Sequence, residues 1–116
     1  MLVTLVTHGA AGGQEQAAGA LMTLACNNAA NRVAIAAAGA IDPLVALVAS
    51  GAAGGREWAA RALGNLACNN TANKVAIAEA GGIAPIVALV TNGTAGGQRA
   101  AQALSNLAVI DLDYAE

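Results

Sequence analysis

The chain has 116 residues and a formal net charge of −2, with 57% hydrophobic, 10% charged and 2% aromatic residues. This length allows one domain at most, and the charge gives no reason to expect nucleic acid as a partner. The apolar residues are mainly Ala, Leu, Val and Ile, of which Ala and Leu favour helices.

The sequence repeats with a period of 42 residues. Residues 1–42 laid over 43–84 are identical at 28 of 42 positions, and the motif LACNN begins at Leu24 and again at Leu66. A partial third copy follows from Pro85 and is one residue shorter. A repeat of this size indicates units that stack into an elongated array.

The first unit predicts two helices. Met1 stands where Pro43 and Pro85 stand in the later copies, so a first short helix is missing. With no unit before it, the apolar stripe of the first helix should be partly uncovered; its residues are Leu2, Val3, Leu5 and Val6. We therefore expect self-association through the uncapped ends, or a longer parent protein.

The second unit predicts three helices. A short helix stops at Gly39, and the next helix has Asp42 as its cap and Pro43 as its first residue. A loop at 52–55 leads into a longer third helix over 56–68. The inward face of that third helix, spaced three and four residues apart, is formed by Ala59, Ala62, Leu63 and Leu66.

The third unit repeats this order. Asn70 and Thr71 provide a cap for a short helix over 72–80, which stops at Gly81 and Gly82. Two helices in the first unit and three in each later one make eight, and the chain is expected to be all-α. Leucines conserved between the copies mark the expected core: Leu21, Leu24, Leu63 and Leu66.

A three-helix unit with these stops resembles the armadillo repeat. The resemblance rests on NKVAIAEAGGIAPIVALV at 73–90, on ALGNLA at 62–67 and on ALSNLA at 103–108. It implies a right-handed α-solenoid of about 2.7 armadillo-type units. The HEAT repeat, usually a two-helix unit, is the alternative.

The resemblance also implies domain bounds. The array would cover residues 1–108, in units of about 1–28, 29–70 and 71–108. Residues 109–116 depart from the repeat and form an acidic tail, which is expected to be solvated and carries Asp111, Asp113 and Glu116.

In the armadillo family the third helices line a concave groove, where a ladder of asparagines holds an extended peptide. An amide side chain offers both a donor and an acceptor, as an extended backbone does. The resemblance places the ladder at Asn65 and Asn106, with Thr23 in the first unit. The family's groove tryptophan would fall at Gly19, Arg61 and Gln102, and is therefore absent.

Trp58 stands at a position that is Gln16 in the first unit and Arg99 in the third. A lone Trp is usually a core residue, but two polar counterparts favour a groove-facing Trp58, on one helical face with Arg61 and Asn65. Arg61 and Arg99 would make the groove mildly positive and favour a neutral or acidic partner. Asparagines near a helix end can instead cap it or be solvated. The predicted peptide-binding residues are Asn65, Asn106, Trp58, Arg61, Thr23, Arg99 and Gln102.

The sequence gives little support for catalysis, for phosphate or metal binding, or for a disulfide. The GAAGG at 51–55 lacks the Lys and Ser or Thr of a phosphate loop, and His8 has no acidic or Cys partner nearby. Cys26 and Cys68 occupy equivalent positions, too far apart for a disulfide, and each is expected to pack as a small apolar residue. We expect no catalytic, metal or cofactor site.

The leading hypothesis is a non-catalytic solenoid scaffold that binds a protein or an extended peptide. The alternative is an engineered, reconstructed or truncated repeat scaffold with no natural partner of its own, and an enzyme is the weakest hypothesis. Free thiols and no recognisable signal peptide predict a cytoplasmic or nuclear protein. We also expect it to bind neither membrane nor nucleic acid. Arg32 and Lys74, on the short helices, are expected to be solvated.

Overall fold

The computed structural model describes residues 2–91, 102–103 and 105–106. Seven helices lie within this part of the chain, and it contains no strand: α1 Leu2–His8, α2 Ala11–Ala25, α3 Ala29–Ala37, α4 Ile41–Ser50, α5 Ala53–Ala67, α6 Thr71–Glu79 and α7 Ile83–Thr91. The four described residues after α7 are also helical and belong to the expected eighth helix. The predicted all-α architecture is confirmed.

Equivalent helices of successive units pack on one another. The third helix α2 packs on the third helix α5, and the second helices α1, α4 and α7 follow one another in the same way. Alanines of both third helices are buried, namely Ala17 and Ala18 on α2 and Ala59 and Ala60 on α5. Small side chains allow helix axes to approach closely, so the alanines set the spacing between the units.

The doubled Asn of LACNN ends one helix and begins the next. Asn27 and Asn69 adopt positive φ angles of 54° and 51°, a left-handed conformation that Asn tolerates better than most residues. The following residue, Asn28 or Asn70, accepts a hydrogen bond from a backbone N–H of the next short helix at 2.9 Å. The cap predicted at Asn70 is therefore confirmed.

The first two helices of a unit meet at a sharp bend. Gly39 and Gly81 lie at these bends with φ angles of 85° and 81°, as expected for glycines that end a helix. No single described helix is long and apolar enough to cross a membrane; the pairs α3–α4 and α6–α7 reach that length and hydropathy only together, and each pair is bent by 82°.

The start of α4 differs from the prediction. The helix begins at Ile41, and its N-cap residue is Ala40, which makes no side-chain capping bond. Asp42 therefore lies inside the first turn, where its charge favours the positive end of the helix dipole. Pro43 is the third helical residue, a position whose N–H has no partner within the helix, so its missing donor costs little.

The predicted loop at 52–55 is also wrong, because α5 already begins at Ala53. A Cβ atom on Gly55 would lie 3.2 Å from Cδ1 of Leu47, and one on Gly54 would lie 2.6 Å from the Glu15 carboxylate. The bare glycine backbone thus lets the first turn of α5 contact both α4 and α2. This packing outweighs the low helix propensity of glycine.

Arg32 and Lys74 are buried, each only 7% exposed, and the prediction that they are solvated is wrong. The Nε of Arg32 donates a hydrogen bond of 3.0 Å to the Ala25 carbonyl at the end of α2. A long aliphatic stem can pack on apolar surface while its polar end reaches a helix C-terminus, which favours positive charge.

Leu24 is 45% exposed, although its copy Leu66 is fully buried. Leu66 lies on α5, which packs against α3, the short helix before it in the same unit. Among the residues described, no short helix precedes α1 to cover Leu24 in the same way. The predicted core is confirmed for Leu21, Leu63 and Leu66 and is wrong for Leu24.

Candidate functional site

A groove of about 510 Å³ lies where the third helices of the three units stack. Its lining residues come from α2, α5 and the described residues of the eighth helix: Met22, Cys26, Arg61, Gly64, Asn65, Gln102, Ala103 and Asn106. Four of the seven predicted peptide-binding residues are among them, namely Arg61, Asn65, Gln102 and Asn106. The stacking of units brings these four together from two helices.

The two asparagines make the same bond between neighbouring units. The Nδ2 of Asn65 donates to the Met22 carbonyl at 2.9 Å, and the Nδ2 of Asn106 donates to the Gly64 carbonyl at 2.8 Å. Met22 and Gly64 occupy equivalent repeat positions. Neither bond is a helix cap, because donor and acceptor lie on different third helices. Each bond orients the side-chain amide of its Asn. It does not use the Oδ1 or the second N–H of that amide.

The third helices approach closely at Gly64. A Cβ atom there would lie 3.0 Å from Cα of Ala103 on the next third helix. The base of the groove is therefore backbone and small side chains. This close approach brings the Gly64 carbonyl within reach of Asn106.

Trp58 is half-buried and packs against the hydrophobic core. Its ring lies 3.7 Å from where a Cβ of Gly19 would be, so the ring fills space that this glycine leaves open. The guanidinium carbon of Arg61 lies 4.5 Å from the ring centroid, a cation–π contact. Arg61 lines the groove and Trp58 holds it there, while peptide contact by Trp58 itself stays a prediction.

Thr23 lies apart from this lining. Thr23 is exposed, and its hydroxyl donates to the Gly19 carbonyl within its own helix at 3.0 Å. Arg99 and the acidic tail fall outside the described residues. Thr23 therefore makes no inter-unit bond like that of Asn65.

Sequence reasoning missed four groove residues: Met22, Gly64, Cys26 and Ala103. The signal for the first two was available, because each directly precedes a ladder position and supplies the carbonyl that an Asn binds. Cys26 is an exposed free thiol at the groove rather than a packed apolar residue, whereas Cys68 is half-buried.

The groove carries little charge. Among its lining residues Arg61 is charged, and no carboxylate is present. Within the described part of the chain, no three His, Cys, Asp or Glu side chains cluster as a metal site requires. This surface is therefore suited to hydrogen bonding and to one cationic contact.

Residues 28–68 match the family model of the Armadillo/beta-catenin-like repeat. By this match residues 28–68 resemble one armadillo repeat, and the 42-residue period of the sequence continues on both sides of them. Its fold is similar to that of an engineered protein from the Northeast Structural Genomics Consortium, with 37% identity and a TM-score of 0.84, over 90% of this chain and 43% of that chain. A second engineered protein has 36% identity and a TM-score of 0.85, over 90% and 26% of the two chains.

The fold is also similar to that of a designed armadillo repeat protein in complex with the peptide (KR)4. That pair shares 26% identity and a TM-score of 0.83, over 90% of this chain and 44% of that chain. The chain spans less than half the length of each of these three solved structures. The comparison with curated proteins finds no match.

Proposed function

We propose that the armadillo array binds an extended peptide in the groove between its third helices. The proposal rests on two equivalent asparagines whose side chains keep an Oδ1 and an N–H that the inter-helix bonds do not use. Asn65 and Asn106 line one groove, and each is held by an identical bond to the neighbouring third helix. The designed armadillo protein solved with a peptide supports the same use of the fold.

The chemistry of the asparagines matches that of an extended chain. A peptide that is not in a helix or sheet exposes an N–H and a C=O at each residue, and both need partners when buried. The Oδ1 of each Asn can accept from a peptide N–H, while its second N–H can donate to a peptide carbonyl. Because the inter-helix bonds already order both amides, binding would lose less side-chain entropy.

The charge of the groove favours a neutral or acidic peptide. Arg61 is held at the groove by Trp58, and the lining residues that the structure describes include no carboxylate that could pair with a basic peptide. The bound peptide of the designed relative, (KR)4, is basic. We therefore propose that this chain differs from that relative in the sign of the peptide charge it favours.

The test is calorimetric titration with peptides selected from a random extended-peptide library against the full chain. Asn65→Ala and Asn106→Ala should each weaken binding by about tenfold, the loss of roughly one hydrogen-bond equivalent. Asn31→Ala is the matched control, because it removes an amide that bonds the Leu24 carbonyl outside the groove. Unchanged affinity in both groove variants would contradict the proposal.

A second proposal is an engineered or reconstructed scaffold with no natural partner. Its support is the similarity to engineered proteins at 35% to 37% identity, together with the high identity between the repeats. The same library separates the two proposals. Selected peptides that bind only weakly, and with equal affinity to the groove variants, favour the scaffold.

A further inference from the structure

We propose that the two ends of the array bind each other, so that a second copy of this chain continues the stack head to tail. This proposal does not depend on the peptide groove. It rests on the second helices of the units, α1, α4 and α7, which pack in succession. Equivalent residues on these helices differ in burial according to whether a neighbouring unit covers them.

The first end is a stripe on α7 that faces away from the preceding units. Its equivalents Ile41, Val45 and Val48 on α4 are 7%, 8% and 2% exposed. The following unit covers that side of α4, since a Cβ on Gly82 would lie 3.1 Å from Cγ2 of Val45. On α7 the same positions are 37% to 43% exposed; we call them the tail stripe, and they are Ile83, Val87 and Val90.

The second end is a stripe on α1, the head stripe, formed by Leu2 and Leu5. Leu5 is 44% exposed, whereas its copies Leu47 and Leu89 are buried. Leu47 lines a crevice together with Val6 of α1, so this position faces the preceding unit. Val6 itself is buried, which corrects the expectation that it is partly uncovered.

The two stripes match an interface that the chain already builds twice. Val6 of α1 and Leu47 of α4 line one crevice. Helix α7 packs on α4 in turn, with Val48 and Leu89 at the equivalent repeat positions. A tail stripe against the head stripe of a second copy places Val87 and Val90 against Leu2 and Leu5, a third example of the same packing. The two surfaces differ, so the contact is heterologous and forms open-ended chains of copies.

Sedimentation velocity over a wide concentration range tests this with the 116-residue chain. The parent chain should grow in mass with concentration. Leu5→Asp and Val87→Asp should each raise the dissociation constant at least about tenfold, because the contact would desolvate an unpaired carboxylate. Val33→Asp is the control, since it charges an exposed apolar residue on α3, outside both stripes.

Mixing the two variants gives the sharpest result. Leu5→Asp keeps an intact tail stripe and Val87→Asp keeps an intact head stripe, so an equimolar mixture should form dimers and nothing larger. Circular dichroism confirms that both variants stay helical. The proposal is overturned if the parent chain is monomeric at every concentration, if either variant associates alone like the parent, or if the mixture gives no dimer.

Discussion

At the scale of single residues, Arg61 decides the electrostatic character of the groove. Its guanidinium lies over the Trp58 ring, and the ring in turn packs above Gly19. Glu57, one helical turn earlier, makes an interaction of its own. A cation placed in this way keeps its planar N–H donors available to a carboxylate at the groove.

We expect Arg61→Glu to change peptide preference. Affinity for an acidic peptide should fall and affinity for a Lys-Arg peptide should rise, each by roughly 3- to 10-fold, since partly exposed ion pairs contribute up to about 1 kcal/mol. Titrations at low and high salt provide the check, because screening should shrink both changes. The control Thr4→Glu adds a carboxylate on α1; equal shifts in it and in Arg61→Glu would exclude a local role for Arg61.

At the scale of helices, asparagine side chains join the end of one helix to the next. Asn73 on α6 is buried and donates to the Leu66 carbonyl at 2.9 Å and to the Arg32 carbonyl at 3.2 Å. Its copy Asn31 is half-buried and bonds the Leu24 carbonyl alone. Asparagine at this position thus joins two short helices and one third helix only where one short helix stacks on another.

We expect Asn73→Ala to lower the free energy of unfolding by about 1–3 kcal/mol, because two buried carbonyls lose their donor. Asn31→Ala should cost about 0.5–1.5 kcal/mol, since water can replace its bond at a half-exposed site. Urea unfolding followed by circular dichroism measures both. Equal losses would mean that the additional bond to the Arg32 carbonyl contributes nothing.

At the scale of the whole molecule, alanine sets how tightly the units stack. Ala18 on α2 and Ala60 on α5 are fully buried at equivalent positions, and these two helices form the most extensive contact between units. The close approach is what lets the asparagines of one third helix reach carbonyls of the next. Stability and groove geometry therefore depend on the same small side chains.

Ala60→Leu should destabilise the array by about 1–3 kcal/mol, because a larger side chain overpacks a fully buried position. The exposed Ala49→Leu on α4 should stay within about 0.5 kcal/mol of the parent. Thermal unfolding of the two variants makes the comparison. A melting temperature for Ala60→Leu equal to that of Ala49→Leu would show that position 60 accommodates a leucine without overpacking.

Local features of the fold could be predicted from the sequence. Gly39 and Gly81 end helices because glycine adopts positive φ without a steric cost, and Asn70 caps a helix through its own side chain. These properties belong to a residue and its immediate neighbours. Because the sequence repeats, the same local features recur in each unit and predict the number and order of the helices.

Tertiary structure decided everything that depends on a neighbouring unit. Leu24 and Leu66 are the same residue in the same motif, yet Leu24 is 45% exposed and Leu66 is fully buried. Gly54 belongs to α5 because α2 packs against its backbone, and Asn65 bonds a carbonyl 43 residues away. Burial and bonding of this kind depend on which surfaces meet in space, and a period in the sequence does not specify that.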